Sequence, residues 1–162
     1  MNQKKRTKVL GDIHDKAVKY LTSVDDKSSY IEYRKNFELA SDFKKTFDYP
    51  IHIDLEIDNV CNFACSFCPI GQPESELGKF YKTKHEIPKE KIFQLIDECK
   101  ELGVNSIQFS IVNEPLANKD IFEILKYASS KKFDDIFIVS NGSLLNQNKA
   151  IKLLDTNIDK IQ

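Results

Sequence analysis

The stretch Ile51-His52-Ile53-Asp54-Leu55-Glu56-Ile57-Asp58-Asn59-Val60-Cys61-Asn62-Phe63-Ala64-Cys65-Ser66-Phe67-Cys68-Pro69 decides how this sequence is read. In its first half Ile51, Ile53, Leu55 and Ile57 alternate with polar neighbours. That is the period of a β-strand, whose side chains point to opposite faces in turn. Its second half sets three thiols, Cys61, Cys65 and Cys68, directly after that strand. Pro50 stands just before it and ends whatever precedes, because proline lacks an N–H and fixes its own φ.

Downstream the pattern repeats. A polar loop carrying Gly71, Pro73 and Gly78 leads to Ile87. Pro88 then suits the first turn of a helix and Gly103 its C-terminal stop. Between them Ile92, Leu95, Ile96, Cys99 and Leu102 make one apolar stripe. Ser106 to Val112 reads as a second strand. Asn118 or Asp120 caps a helix bearing Ile121, Ile124, Leu125 and Ala128. Ile136 to Val139 is short and nearly all apolar, as a buried parallel strand should be. Asn141-Gly142 is a turn. A helix from about Asn146 to Asp155, with Ala150, Ile151, Leu153 and Leu154, leads to a fourth strand opening at Ile158.

Upstream the sequence is polar and helical. A weak helix is expected over Asp12 to Leu21. A stronger one is expected from Ser29 to Phe47, with Ser29 and Glu32 spaced as a capping box. Its apolar positions are Tyr33, Phe37, Ala40 and the run from Phe43 to Phe47. The expected domains are a helical extension over 1–49 and an α/β unit over 50–162.

Alternating strands and helices build a parallel sheet with right-handed crossovers. The repeat of roughly 30 residues is that of a (β/α) barrel. The expected fold class is α/β: an incomplete TIM-like barrel of three and a half βα units, preceded by N-terminal helices. The chain stops as its fourth strand begins, so an incomplete domain is expected. A small open α/β sheet, complete as it stands, is the alternative.

Composition bounds the function classes. Of 162 residues, 41% are hydrophobic and 30% charged, enough apolar material for one folded core. The 24 basic and 25 acidic residues nearly cancel and are mixed along the chain, which argues against a nucleic-acid surface. No apolar run reaches the roughly 18 residues of a membrane span. The Met1-Asn2-Gln3-Lys4-Lys5-Arg6 start lacks the apolar segment of a secretory signal. A cytoplasmic protein with no nucleic-acid or membrane partner is expected.

In that setting a cluster of thiols points to a metal or to catalysis rather than to disulfides. C-x3-C-x2-C gives three thiolates from one loop. An iron–sulfur cube normally takes four, so one iron would lack a protein ligand, and an open coordination position suggests reactivity toward a small molecule. A zinc site using these cysteines with His52 or His85 is the alternative. Two further unusual sequences follow the next two strands: Asn113-Glu114-Pro115-Leu116 and Ser140-Asn141-Gly142. Parallel strands all end at one edge, where such sheets place their sites, so the three motifs should converge.

The cysteine motif, with aromatic Phe67 before the third cysteine, resembles that of the radical S-adenosylmethionine (radical SAM) superfamily. The strand Ile53 to Ile57 and the Cys61-Asn62-Phe63 start look like the branch that often carries a C-terminal SPASM domain. The resemblance runs from about residue 50 to the end. An aromatic-Arg stretch like Tyr30-Ile31-Glu32-Tyr33-Arg34 also occurs in some members.

The resemblance implies a radical SAM enzyme. Cys61, Cys65 and Cys68 would ligate a [4Fe-4S] cluster whose open iron chelates S-adenosylmethionine. One electron from an external donor would cleave the cofactor, and the 5′-deoxyadenosyl radical would take hydrogen from a small-molecule or peptide substrate. The cofactors carry that chemistry and the protein positions them. Phe67 would lie near the adenine. Asn113-Glu114-Pro115 matches the family's Gly-Gly-Glu-Pro motif, which contacts the methionine amino group partly through its backbone. Here Val112 and Asn113 replace both glycines and crowd that approach. Ser140 and Asn141 match the family's Thr-Asn-Gly motif near the cofactor.

Plainer readings stand beside these. Asn113-Glu114-Pro115 also suits a loop with a helix-starting proline, and Ser140-Asn141 a strand-ending turn. Cys99, on an apolar stripe, is expected to be a buried core thiol. His14, His52 and His85 read as surface or packing residues. Phe63 and Ile70 are expected to shield the cluster. The loop from Gln72 to Glu86 is either a lid, with Phe80 and Tyr81 against substrate, or a solvated loop. Lys131-Lys132 reads as a solvated face. Two rival readings remain: a non-catalytic iron–sulfur module that transfers electrons or binds, and a truncated chain inactive alone.

Overall fold

The computed structural model describes residues 28–162. The helix expected over 12–21 and His14 lie outside the described residues. Of these, residues 28–46 fall in one compact unit and Phe47–Gln162 form another.

In the first unit, helix α1 spans Ser28–Ser41. It ends six residues before the expected Phe47. Phe43 sits at φ 56°, Lys44 N–H donates to the Leu39 carbonyl and Phe43 N–H to that of Ala40. This is a Schellman stop, which ordinarily uses glycine. A phenylalanine in the left-handed region is costly and is not a signal a sequence reading looks for. Arg34 lies over the Phe37 ring at 4.9 Å on the same helix.

The second unit runs β1 (His52–Asp54), α2 (Glu76–Tyr81), α3 (Lys89–Glu101), β2 (Ser106–Gln108), α4 (Ile121–Ser130), β3 (Asp135–Ile138), α5 (Gln147–Leu154) and β4 (Lys160–Ile161). The four strands form one sheet in chain order, and every pair is parallel. Ile53 pairs with Ile107, and Ile107 with Ile136, so the apolar positions lie in register across the sheet. Parallel neighbours need a crossover, and α3, α4 and α5 supply the three. The strands are shorter than the alternation suggested, because past Asp54 and Gln108 the chain leaves the ladder to make loops.

Helices α3 and α4 bury most of the positions their periodicity predicted, but Leu102, expected on the α3 stripe, is the C-cap residue beyond the last turn and is exposed. Ile92, Ile96 and Cys99 are the buried positions of α3, and Ile121, Ile124, Leu125 and Ala128 those of α4. They join Ile107, Phe109, Ile136 and Ile138 in one core. Each such aliphatic side chain, fully buried, contributes about 1.5–3 kcal/mol. Gly103 ends the α3 segment at φ 85°, where a side chain would be strained and would crowd the Tyr49 ring. Asn118 does not cap α4 directly. Its Oδ1 accepts the Asp120 N–H at 2.8 Å, and Asp120 is the N-cap residue. Asn146 does cap α5, accepting the Lys149 N–H at 3.0 Å.

Two stretches differ from expectation. The loop from Gln72 to Glu86 contains α2, whose cap Ser75 accepts the Gly78 N–H at 2.9 Å. On α5 only Leu153 is buried, and Leu154 is 79% exposed. Leu145, Leu154, Ile158 and Ile161 line an apolar groove of about 390 Å³ beside β4. Among the described residues no helix is long and apolar enough to cross a membrane.

Candidate iron–sulfur and cofactor site

Because all four strands are parallel, the segments after β1, β2 and β3 emerge at one edge of the sheet. They are tied to one another there. Glu114 N–H donates to the Val60 carbonyl at 2.8 Å, joining the β2 loop to the entry of the cysteine loop. Asn141 Nδ2 donates to Asn62 Oδ1 at 3.0 Å, and Asn62 Nδ2 donates to Ser143 Oγ at 2.8 Å, joining that loop to the one after β3. The convergence expected from strand direction is realised.

Cys61, Cys65 and Cys68 are free thiols, each half-buried. Cys61 Sγ lies 3.4 Å from the Phe63 N and 4.0 Å from Asn141 Nδ2. Cys68 N–H donates to the Cys65 carbonyl at 2.9 Å, and Gly71 N–H to the Cys68 carbonyl at 3.0 Å. The loop is therefore wound tightly on itself. At Gly71 an added Cβ would meet the Cys65 carbonyl oxygen at 2.1 Å, so only glycine fits there. Among the described residues no three His, Cys, Asp or Glu side chains surround a single metal-ion position. A four-iron cube gives each thiolate its own iron, so three sulfurs spread along one loop suit it as a donor set.

His52 does not approach this set. Its Nδ1 lies 2.9 Å from Ser106 Oγ and its Nε2 3.1 Å from Asp54, with the ring stacked on Phe137. The His85 ring stacks on Phe80 at 5.2 Å. Both are packing residues, as read.

Glu114 is 1% exposed. Its Oε1 accepts from Leu116 N–H at 3.0 Å and from the Ser140 hydroxyl at 2.8 Å, and its Oε2 accepts from Asn141 N–H at 2.8 Å. A carboxylate has about four accepting positions, so three are filled within the chain. Asn113 is also buried. Its Oδ1 accepts the Ile111 N–H at 3.3 Å, while its Nδ2 is enclosed without a partner. Ser140 Oγ, besides its bond to Glu114, accepts the Gly142 N–H at 3.0 Å. Phe67 is 85% exposed on the cysteine loop, and Phe63 is 44% exposed.

Several residues of this edge escaped the sequence reading. Glu56 Oε1 accepts the N–H groups of Val112 at 2.8 Å and Asn113 at 3.2 Å. Its Oε2 accepts the Tyr81 hydroxyl at 3.3 Å. Burial first, then the charge of Glu56 and its hydrogen bond, then Cys68, push the Tyr81 phenol above its ordinary pKa. Asp58 accepts from Asn118 Nδ2 at 2.6 Å and from Val60 N–H at 2.9 Å. Asn59 spans to the segment after α2, donating to the Thr83 carbonyl and accepting from His85 N–H. The alternation had put Glu56 and Asp58 on a polar face. Both lie past the end of β1, in the stretch that turns toward the cysteine loop, where Glu56 is half-buried and Asp58 is buried.

The sequence profile of the radical SAM superfamily matches residues 55–162. A probable GTP 3′,8-cyclase of Methanococcus maripaludis is 31% identical over 107 residues, 66% of this chain and 33% of that protein. The PqqA peptide cyclase of Bradyrhizobium diazoefficiens is 29% identical over 118 residues, 73% of this chain and 29% of that protein. The chain thus spans about a third of the length of the curated relatives it matches. Among solved structures, BtrN in complex with AdoMet and 2-DOIA superposes with a TM-score of 0.61 at 19% identity, over 72% of this chain and 46% of that one. That likeness is one of fold: α/β, with this sheet as part of a TIM-like barrel.

Proposed function

This chain belongs to the radical SAM superfamily, and from that premise we propose that Cys61, Cys65 and Cys68 hold a [4Fe-4S] cluster beside a site for S-adenosylmethionine. When bound, the two supply a one-electron cleavage and a 5′-deoxyadenosyl radical that takes hydrogen from the substrate. The supporting observation is that three half-buried thiols on one loop stand at the sheet edge where the loops after β2 and β3 are locked to them.

The chain's own residues bind and orient. Gly71 lets the cysteine loop close on itself. Asn141 fixes Asn62 and approaches Cys61, so the loop after β3 braces the thiolates. Glu114 holds Ser140 and Asn141 in place, and the accepting position left on Oε2 suits an ammonium. The exposed ring of Phe67 offers a flat apolar face to the adenine. Phe63 and Ile70 limit water around the sulfurs. We further assign residues 1–49 to a helical extension and 50–162 to the core. Cys61-Asn62-Phe63 and the strand before it support the branch that often carries a SPASM domain. The named relatives are cyclases acting on a nucleotide and on a peptide. A small molecule or peptide is the substrate class proposed here, with an external electron donor in the cytoplasm.

One observation favours the rival iron–sulfur module: three of the four accepting positions of Glu114 are taken within the chain. Electron paramagnetic resonance separates the readings. The protein is reconstituted anaerobically with iron and sulfide, reduced, and recorded with and without S-adenosylmethionine. A [4Fe-4S]⁺ signal that changes on addition supports the enzyme. An unchanged signal leaves the module. A Cys65→Ala protein that still made 5′-deoxyadenosine would overturn the assignment of the thiols.

A further inference from the structure

Glu56 reaches both the loop after β2 and the end of α2. Two peptide N–H groups, those of Val112 and Asn113, converge on its Oε1. A trans peptide is planar with its N–H and C=O opposed. The carbonyls of Ile111 and Val112 therefore point away from Glu56. Among the described residues neither accepts a hydrogen bond from the protein. Val112 and Asn113 are the positions where glycines stand in the family's motif. A loop without those glycines has less freedom to find the conformation that presents its carbonyls. The second carboxylate oxygen accepts from Tyr81, the last residue of α2. Beside it, Glu56, Phe80, His85 and Glu86 line a cleft of about 190 Å³.

We propose that Glu56 is a positioning residue for S-adenosylmethionine: it fixes the Val112–Asn113 backbone so that the Ile111 and Val112 carbonyls face the cofactor ammonium, and Tyr81 holds Glu56 in that pose. The inference rests on the proposed radical SAM function. A carboxylate suits the task because it only accepts, so it draws both N–H groups to one point and cannot turn a donor toward them.

The test uses the reconstituted full chain with Glu56→Ala, Glu56→Gln and Tyr81→Phe. Affinity is read from the change in the reduced-cluster signal on titration with S-adenosylmethionine, and backbone order from amide hydrogen exchange. Glu56→Ala should weaken binding about tenfold, the scale of lost hydrogen bonds to a charged acceptor. Glu56→Gln keeps an accepting oxygen and should stay within about threefold, as should Tyr81→Phe. Exchange at Val112 and Asn113 should quicken in Glu56→Ala while Ile107 in β2 is unchanged. If Glu56→Ala does not fold, Glu56→Asp carries the same expectation, because its carboxylate is withdrawn by one methylene. A wild-type protein with no cofactor response overturns the proposed cofactor site and this inference with it. A wild type that responds, with Glu56→Ala binding equally well or loosening the whole sheet, overturns the inference alone.

Discussion

The Ser140 hydroxyl donates to Glu114 Oε1 at 2.8 Å, so the ends of two neighbouring parallel strands are closed by a single buried carboxylate. Asn141 N–H donates to the other oxygen of that carboxylate. The two motifs are one structural unit. A Glu114→Ala change would strand the buried Leu116 donor and leave the Ser140 and Asn141 donors, which lie nearer solvent, to water, at a cost of roughly 2 kcal/mol. Ser140→Ala should cost about 1 kcal/mol. The double variant should fall short of the sum, because both changes break the same bond. Urea unfolding midpoints of the four proteins measure this.

Asp58 and Asn118 make a second closure, between the entry of the cysteine loop and the stretch after β2. Both are buried, and Asn118 Nδ2 donates to Asp58 Oδ2 at 2.6 Å. Asp58 also orients Val60, one residue before Cys61. Asn118→Ala leaves a buried carboxylate with one fewer donor and should destabilise by about 2 kcal/mol. Asn118→Asp opposes two carboxylates and should cost more. Thermal unfolding at neutral pH should rank the proteins wild type, Asn118→Ala, Asn118→Asp.

The βα order and the meeting of three motifs at one edge were legible because each rests on periodicity and strand direction alone. The bonds that fix the edge were not. Glu56, Asp58 and Asn59 act through partners more than 20 residues away, Val112, Asn118 and His85 among them, and pairing at that range leaves no local pattern. Short helices escaped for another reason. Six-residue α2 shows too few turns for an apolar stripe, and only its Ser75 cap marks it. The end of α1 escaped because Phe43 does a glycine's work.

Two glycines that look alike in sequence should behave differently. At Gly71 a Cβ would collide with backbone, the Cys65 carbonyl oxygen at 2.1 Å, and backbone cannot swing aside. At Gly142 nothing lies within 4 Å, and only its φ of 70° opposes a side chain. Gly71→Ala should therefore deform the cysteine loop and sharply reduce iron bound per chain after anaerobic reconstitution. Gly142→Ala should keep its iron and lose about 1 kcal/mol of stability.

Cys99 should be the unreactive thiol of the four, and its pH dependence has a definite sign. It is buried on the apolar face of α3, and burial, then the neighbouring charge of Glu98, raises its pKa above the usual 9.0. Below that value the thiol is protonated in both folded and unfolded chains, and it contributes no pH dependence. Above it the unfolded chain ionises first and binds fewer protons than the folded one, so stability falls as pH rises. Urea unfolding of the unloaded protein from pH 8 to pH 10 should show that decline, and it should be shallower in Cys99→Ala measured beside it. At pH 8 a thiol reagent should modify the half-buried Cys61, Cys65 and Cys68 well before Cys99, since the thiolate is the nucleophile and access limits it. Mass spectrometry of the partly alkylated chain reads the order. Early modification of Cys99 would mean that α3 opens locally and that its apolar face is not the closed layer the core requires.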